Sequence, residues 1–232
     1  MESIRERAAH VLSRVAQAAE RSGRKGEEIR LIAVGKTKPV ELIGEAIDAG
    51  LAVFGENYVQ EAEEKIRAFP QAEWHFIGKL QRNKVKKAVS LFSWIQTVDS
   101  LSLLEEISRR AGEAGKVLPV LAEVNLAGEE SKAGMDPEAL AELIEAAPGL
   151  PGIRLRGLMA IPPWTEDPEE SRPYFVRLRE LLAECASRGG AGPQMTELSM
   201  GMSNDFEAAI EEGATMVRVG TAIFGSRVRR AT

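Results

Sequence analysis

"RLIAVGKTKPVELIGEAIDAGLAVFG", residues 30–55, decides the fold. Leu31–Val34 is a short unbroken apolar run, the pattern of a strand covered on both faces. Pro39 follows where a first helical turn tolerates proline, and Gly50 stops the helical pattern. A second apolar run, Ala52–Gly55, comes next. Strand, helix and strand in so short a stretch make a βαβ unit with parallel strands.

The alternation continues through Trp74–Gly78, Trp94–Val98, Leu118–Asn125, Leu155–Met159, Thr196–Ser199 and Thr215–Val219. Strand starts lie roughly 20–40 residues apart, the size of one βα unit. Ser100 or Asp99, Asp136 before Pro137, and Asn204 three residues before Glu207 read as helix starts. An amphipathic helix running to Gly23 precedes the first strand. These features predict an α/β protein, a (β/α)8 TIM barrel with an extra N-terminal helix, occupying residues 1–232 as a single domain. An open doubly wound sheet is the second choice.

Hydrophobic residues at 44% and charged residues at 28% are ordinary globular composition. A net charge of −5 argues against nucleic-acid and membrane-surface partners, which need a basic face. The basic clusters Asn83–Lys87 and Arg227–Arg230 read as solvated faces. Two histidines and one cysteine are too few for structural zinc, so no metal is expected. Cys185 reads as a small buried hydrophobe in a reducing compartment. The N-terminus lacks a signal-peptide pattern, and no run approaches the ~20 apolar residues of a membrane span. A cytoplasmic location is the expectation.

In such a barrel, chemistry belongs at the C-terminal strand ends. Lys36 follows the first strand and shares side-chain parity with Ile32 and Val34. A lone strand-end lysine snorkels to solvent, which is the reading given to Lys38. Two later loops change that reading for Lys36. "SMGMS" (residues 199–203) and "VGTA" (residues 219–222) follow strands seven and eight, where barrels commonly hold phosphate. Either loop alone is equally well explained as a tight turn; together they favour a phosphate cradle. Arg218 interrupts an apolar strand and needs a partner, either a carboxylate or a ligand in the barrel mouth. A lysine with a depressed pKa beside another cation is nucleophilic toward aldehydes. Lysine, phosphate cradle and arginine point to pyridoxal 5′-phosphate (PLP). A Schiff-base phosphosugar aldolase, with Glu56 moving protons, stays open on composition.

"AVGKTKP", "FGENYVQE", "WHFIGKLQRNK", "RGLMAIP", "LSMGMSNDFEAAI" and "VRVGTAIFG" resemble, in order and spacing, the pyridoxal phosphate homeostasis protein family. These are single-domain relatives of the alanine racemase N-terminal barrel (PLP fold type III). The resemblance runs from the first helix to about Ser226. It implies that Lys36 carries PLP as a Schiff base. It implies that Ser199, Gly220 and Thr221 cradle the phosphate, that Arg218 faces the pyridine nitrogen, and that Asn57 and Met200 line the pocket. His75 ends strand three in the motif "WHFIGKLQRNK", with its role left open. Gly35 stands where many members have Ser, at a position whose parity points away from residue 36. An arginine cannot accept the ring proton, so the electron-sink function is blunted.

Racemases of this kind draw a second acid/base, a Tyr, from another domain that this sequence is not expected to carry. Tyr58 is expected to line or stack at the mouth, and Tyr174 to pack in its helix. Lys132 reads as part of a surface loop, with an anion contact as the alternative. The expectation is therefore a monomer that holds and supplies PLP, with PLP-dependent apoenzymes as candidate recipients and no catalytic residue assigned. A low-activity PLP-dependent amino-acid racemase is the alternative.

Overall fold

The computed structural model describes residues 2–128 and 133–225. Lys132 and the basic tail Arg227–Arg230 lie outside the described residues. Strands Arg30–Val34 (β1), Val53–Glu56 (β2), Glu73–Phe76 (β3), Trp94–Val98 (β4), Leu118–Glu123 (β5), Ile153–Met159 (β6), Glu197–Ser199 (β7) and Met216–Val219 (β8) form a closed parallel barrel in sequence order. β8 closes on β1 with Ile32 opposite Arg218. Among the described residues the helices are Ile4–Arg21 (α1), Val40–Asp48 (α2), Val59–Ala68 (α3), Val85–Leu91 (α4), Leu101–Glu113 (α5), Leu140–Ala146 (α6), Arg172–Ala186 (α7), Phe206–Glu211 (α8) and the single turn Thr221–Phe224 (α9). The chain is thus a TIM barrel preceded by an extra helix, as the alternation of apolar runs and helical patterns predicts.

Period-two alternation divides the strands between two cores. Ile32, Leu121, Met159 and Met216 pack together as a small cluster inside the barrel. Ala33 and Phe54 belong to the large shell between strands and helices. α1 begins with a complete capping box, Ser3 with Glu6, and buries Ile4, Ala8, Val11, Val15 and Ala18 along one stripe. Each large aliphatic in that stripe stabilises by roughly 1.5–3 kcal/mol. α1 packs on α2, α8 and α9 and so backs the β8–β1 seam.

Two local expectations are corrected. Leu118–Asn125 ends as a strand at Glu123, because Val124 pairs instead with Met135 in an isolated bridge. Asn204 does not start α8. Asp205 takes the N-cap position and accepts from the Met202 N–H at 2.6 Å. The Asn204 amide instead donates to the Thr165 and Glu166 carbonyls at 3.1 and 3.3 Å. It thereby ties the loop after β6 to the loop after β7. Cys185 is buried on α7, and burial pushes its thiol pKa up. No helix among the described residues is long and apolar enough to cross a membrane.

Candidate functional site

β1 ends at Val34, and the next residues turn sharply over the barrel rim. The Gly35 N–H donates to the Gly55 carbonyl at 3.0 Å, and Lys38 N–H returns to the Gly35 carbonyl at 3.0 Å. Thr37 between them adopts φ 63°, unusual for a β-branched residue. This turn is held from behind. Lys65 on α3 reaches the Gly35 carbonyl at 2.8 Å, Glu56 Oε1 at 2.8 Å and Glu61 Oε1 at 2.7 Å. Glu61 Oε1 also accepts the Thr37 N–H at 2.5 Å. The residues on both sides of Lys36 are therefore anchored to one buried ion cluster. Burial pushes the Glu56 carboxyl up to about 7, against the opposing pull of the Lys65 ammonium.

Lys36 opens into a cleft of about 320 Å³ at the C-terminal mouth of the barrel. Asn57, Ser203, Arg218, Gly220 and Thr221 also line it, with Ile77, Ile161, Met202 and the largely exposed Trp164 as apolar walls. The loops after β7 and β8 are joined by Ser203, whose Oγ accepts the N–H groups of Gly220 (3.1 Å) and Ala222 (3.3 Å). Gly201 makes this crossing possible. Its φ is 89°, and a Cβ there would lie 2.5 Å from the Ala209 Cβ. Its carbonyl accepts the Arg218 N–H at 3.0 Å.

Arg218 is 4% exposed. Its NH1 donates to Ser199 Oγ at 2.7 Å and its NH2 to the Ala160 carbonyl at 2.9 Å. Both acceptors are neutral, so among the described residues the carboxylate partner weighed from sequence is absent from its hydrogen bonds. Burial lowers the guanidinium pKa to about 10, opposed at longer range by Glu123 and Asp205. Glu123, at the end of β5, is itself raised to about 7 by burial.

Among the described residues, the structure brings Lys36, Asn57, Arg218, Gly220 and Thr221 to one cleft. Ser199 and Met200 are fully buried and do not line it. Ser203, four residues beyond Ser199, does; the loop quoted from sequence contained it, but its pitch decides which serine faces the mouth. Glu56 is also outside the cleft. By strand parity it faces outward like Phe54, toward Lys65, so the proton-moving role it had in the aldolase alternative is corrected. Lys38 is half-buried rather than solvated: its ammonium donates to the Phe224 and Gly225 carbonyls at 3.2 and 3.0 Å, at the end of α9. Tyr58 is 57% exposed and, like Tyr174, does not line the cleft.

The chain matches the family "Alanine racemase, N-terminal domain" over residues 8–228. It is 48% identical to the pyridoxal phosphate homeostasis protein of Aquifex aeolicus over 96% of this chain and 97% of that one. It is 45% identical to that of Escherichia coli, covering 98% of each. The chain belongs to the pyridoxal phosphate homeostasis protein family. A solved relative, PipY of Synechococcus elongatus with PLP bound, superposes with a TM-score of 0.80 at 41% identity, covering 91% of this chain and all of that one. Alanine racemase of Clostridium difficile shares the fold at a TM-score of 0.72 and 17% identity, covering 95% of this chain and 56% of that one.

The cleft fits the cofactor of this family. The Asn57 Oδ1 is buried there with no hydrogen-bond partner among the described residues, an orphan that a bound group can satisfy. The cationic side chains of Lys36 and Arg218 in the cleft lining suit a phosphorylated aldehyde.

Proposed function

We propose that this chain works as one PLP-binding barrel domain in which Lys36 holds the cofactor as a Schiff base. Ser203, Gly220 and Thr221 receive the phosphate, Arg218 faces the pyridine nitrogen, and Asn57 lines the pocket. Ser199 and Met200 act from behind this layer. The observation that carries the reading is the convergence of Lys36, Arg218 and the Ser203-joined loops on one cleft.

The cofactor, when bound, supplies an aldehyde and an electron-accepting ring. The chain's own groups restrict the chemistry open to it. Arg218 is a pure donor and takes no proton from the ring. Neither tyrosine lines the cleft opposite Lys36. The protein is therefore proposed to keep and supply PLP in the cytoplasm as a monomer, with little turnover, and to hand it to PLP-dependent apoenzymes. The test is the visible absorption of the PLP-loaded protein. Wild type should show a Schiff-base band that is missing from Lys36→Ala; a band that survives the substitution overturns the reading. Incubation with L-alanine in D2O addresses racemase activity: deuterated, racemised product at useful rates contradicts the storage role.

A further inference from the structure

We propose that Ser199, Gln96 and His75 form a one-way hydrogen-bond relay through the barrel interior that positions Arg218 in the cleft and ends on Glu73 at the opposite end of the barrel. The proposal rests on the PLP reading for its functional meaning, and on the cofactor-free protein for its geometry.

Four contacts make the chain. Arg218 NH1 donates to Ser199 Oγ at 2.7 Å, and Ser199 Oγ donates to Gln96 Oε1 at 2.6 Å. Gln96 Nε2 lies 2.7 Å from His75 Nδ1, and His75 Nε2 lies 2.8 Å from Glu73 Oε1. Arg218 is almost fully buried, and Ser199, Gln96 and His75 are completely so. Glu73, at the start of β3, is partly exposed. His75 is held in place by stacking on Trp94, with ring centroids 5.5 Å apart.

The two ends dictate the direction. A guanidinium has only donors, so Ser199 accepts from it and spends its own proton on Gln96. At the far end, Glu73 is a partly exposed carboxyl with the Arg30 guanidinium 3.6 Å away, so it is ionised at neutral pH and accepts only. His75 Nε2 must then carry the hydrogen. Burial keeps the imidazole neutral, which leaves Nδ1 bare to accept from the Gln96 amide. Only one orientation of the Gln96 amide satisfies both neighbours. The chain is polarised from a cation at the mouth to an anion at the base, and each link strengthens the next. A carboxylate touching Arg218 would neutralise it; neutral acceptors fix its position and leave its charge for the cleft. The relay also gives His75, in the motif "WHFIGKLQRNK", a role: it is a positioning residue acting through Gln96 and Ser199.

The test uses two readouts. In the cofactor-free protein, long-range ¹H–¹⁵N spectra at neutral pH should show His75 protonated at Nε2 and bare at Nδ1. Gln96→Glu, which can only accept, should force a proton onto Nδ1. The Arg218 guanidinium N–H signals should be protected from exchange in wild type and in Ser199→Thr, and lost in Ser199→Ala. In the loaded protein, Ser199→Ala should weaken PLP binding about tenfold and shift the cofactor's absorption, with Ser199→Thr restoring both. A role confined to packing would lower the melting temperature of Ser199→Ala and move neither the spectrum nor the affinity, overturning the proposal. So would an Nδ1-protonated His75 in wild type. If wild type takes up no PLP, the cleft reading fails separately, and the two cofactor-free measurements still decide the relay.

Discussion

Lys65 donates a hydrogen bond to the carbonyl of Gly35, the residue immediately before Lys36, at 2.8 Å. The same ammonium pairs with Glu56 and Glu61, and Glu61 holds the N–H of the residue immediately after Lys36. A buried cation on α3 thus sets the backbone from which the candidate cofactor lysine projects. Removing one member of a buried ion cluster strands the others, at a cost of about 3–5 kcal/mol. Lys65→Met should lower unfolding free energy by that order in urea titrations. Glu61→Gln, which keeps an acceptor for both N–H groups, should lose under half as much and still bind PLP. Equal losses in the two variants contradict the clamp.

Gly201 should tolerate no side chain. Its φ of 89° and the 2.5 Å approach of the Ala209 Cβ both oppose alanine. Gly201→Ala is expected to destabilise by roughly 1–3 kcal/mol. It should also weaken PLP binding, because the loop that carries Ser203 must shift. A thermal melt and a PLP titration of this variant check the two effects.

Ser203→Ala removes the oxygen that accepts the Gly220 and Ala222 N–H groups. Stability should fall by about 1 kcal/mol, the scale of one net hydrogen bond. PLP affinity should fall about tenfold or more, since the loop ends proposed for the phosphate lose their link. Pyridoxal lacking the phosphate should bind wild type and variant alike. A Ser203→Ala protein with wild-type PLP affinity removes this residue from the site.

Stability should depend on pH near neutrality. The Glu123 carboxyl is raised to about 7 by burial, against an ordinary value near 4.5. Between those values the folded chain binds more protons than the unfolded chain, so stability falls as pH rises through this window. The loss from Glu123 is of order 1–3 kcal/mol and is complete above its folded pKa. Glu56 contributes in the same direction over the same window. Buried His75, whose pKa burial lowers, opposes the two carboxyls below about 6.5. Two raised carboxyls outweigh one lowered imidazole, so unfolding midpoints measured from pH 5 to 8 should descend, and Glu123→Gln should flatten the descent. A midpoint that rises across this range contradicts the assignment.

The barrel was legible because its strands are apolar runs punctuated by Pro39, Gly50 and their counterparts, a local pattern that needs no knowledge of distant contacts. Lys36, Arg218, Gly220 and Thr221 were legible as residues that strand ends carry to the barrel mouth. Which serine faces the mouth was not, because loop pitch after β7 depends on how Gly201 packs against α8. The Lys65 cluster was hidden for a different reason: with Glu61 it looks like an ordinary surface pair on a helix, and its target, Gly35, lies thirty residues away. Asn204 obeyed tertiary context over a local capping preference. The Glu56 position could have been read from strand parity with Phe54.

The most direct test of the central claim is borohydride reduction of the PLP-loaded protein followed by peptide mapping. The account predicts a reduced pyridoxyl adduct on Lys36 at close to one per chain. An adduct on Lys38 or Lys65 in its place, or none at all, contradicts it.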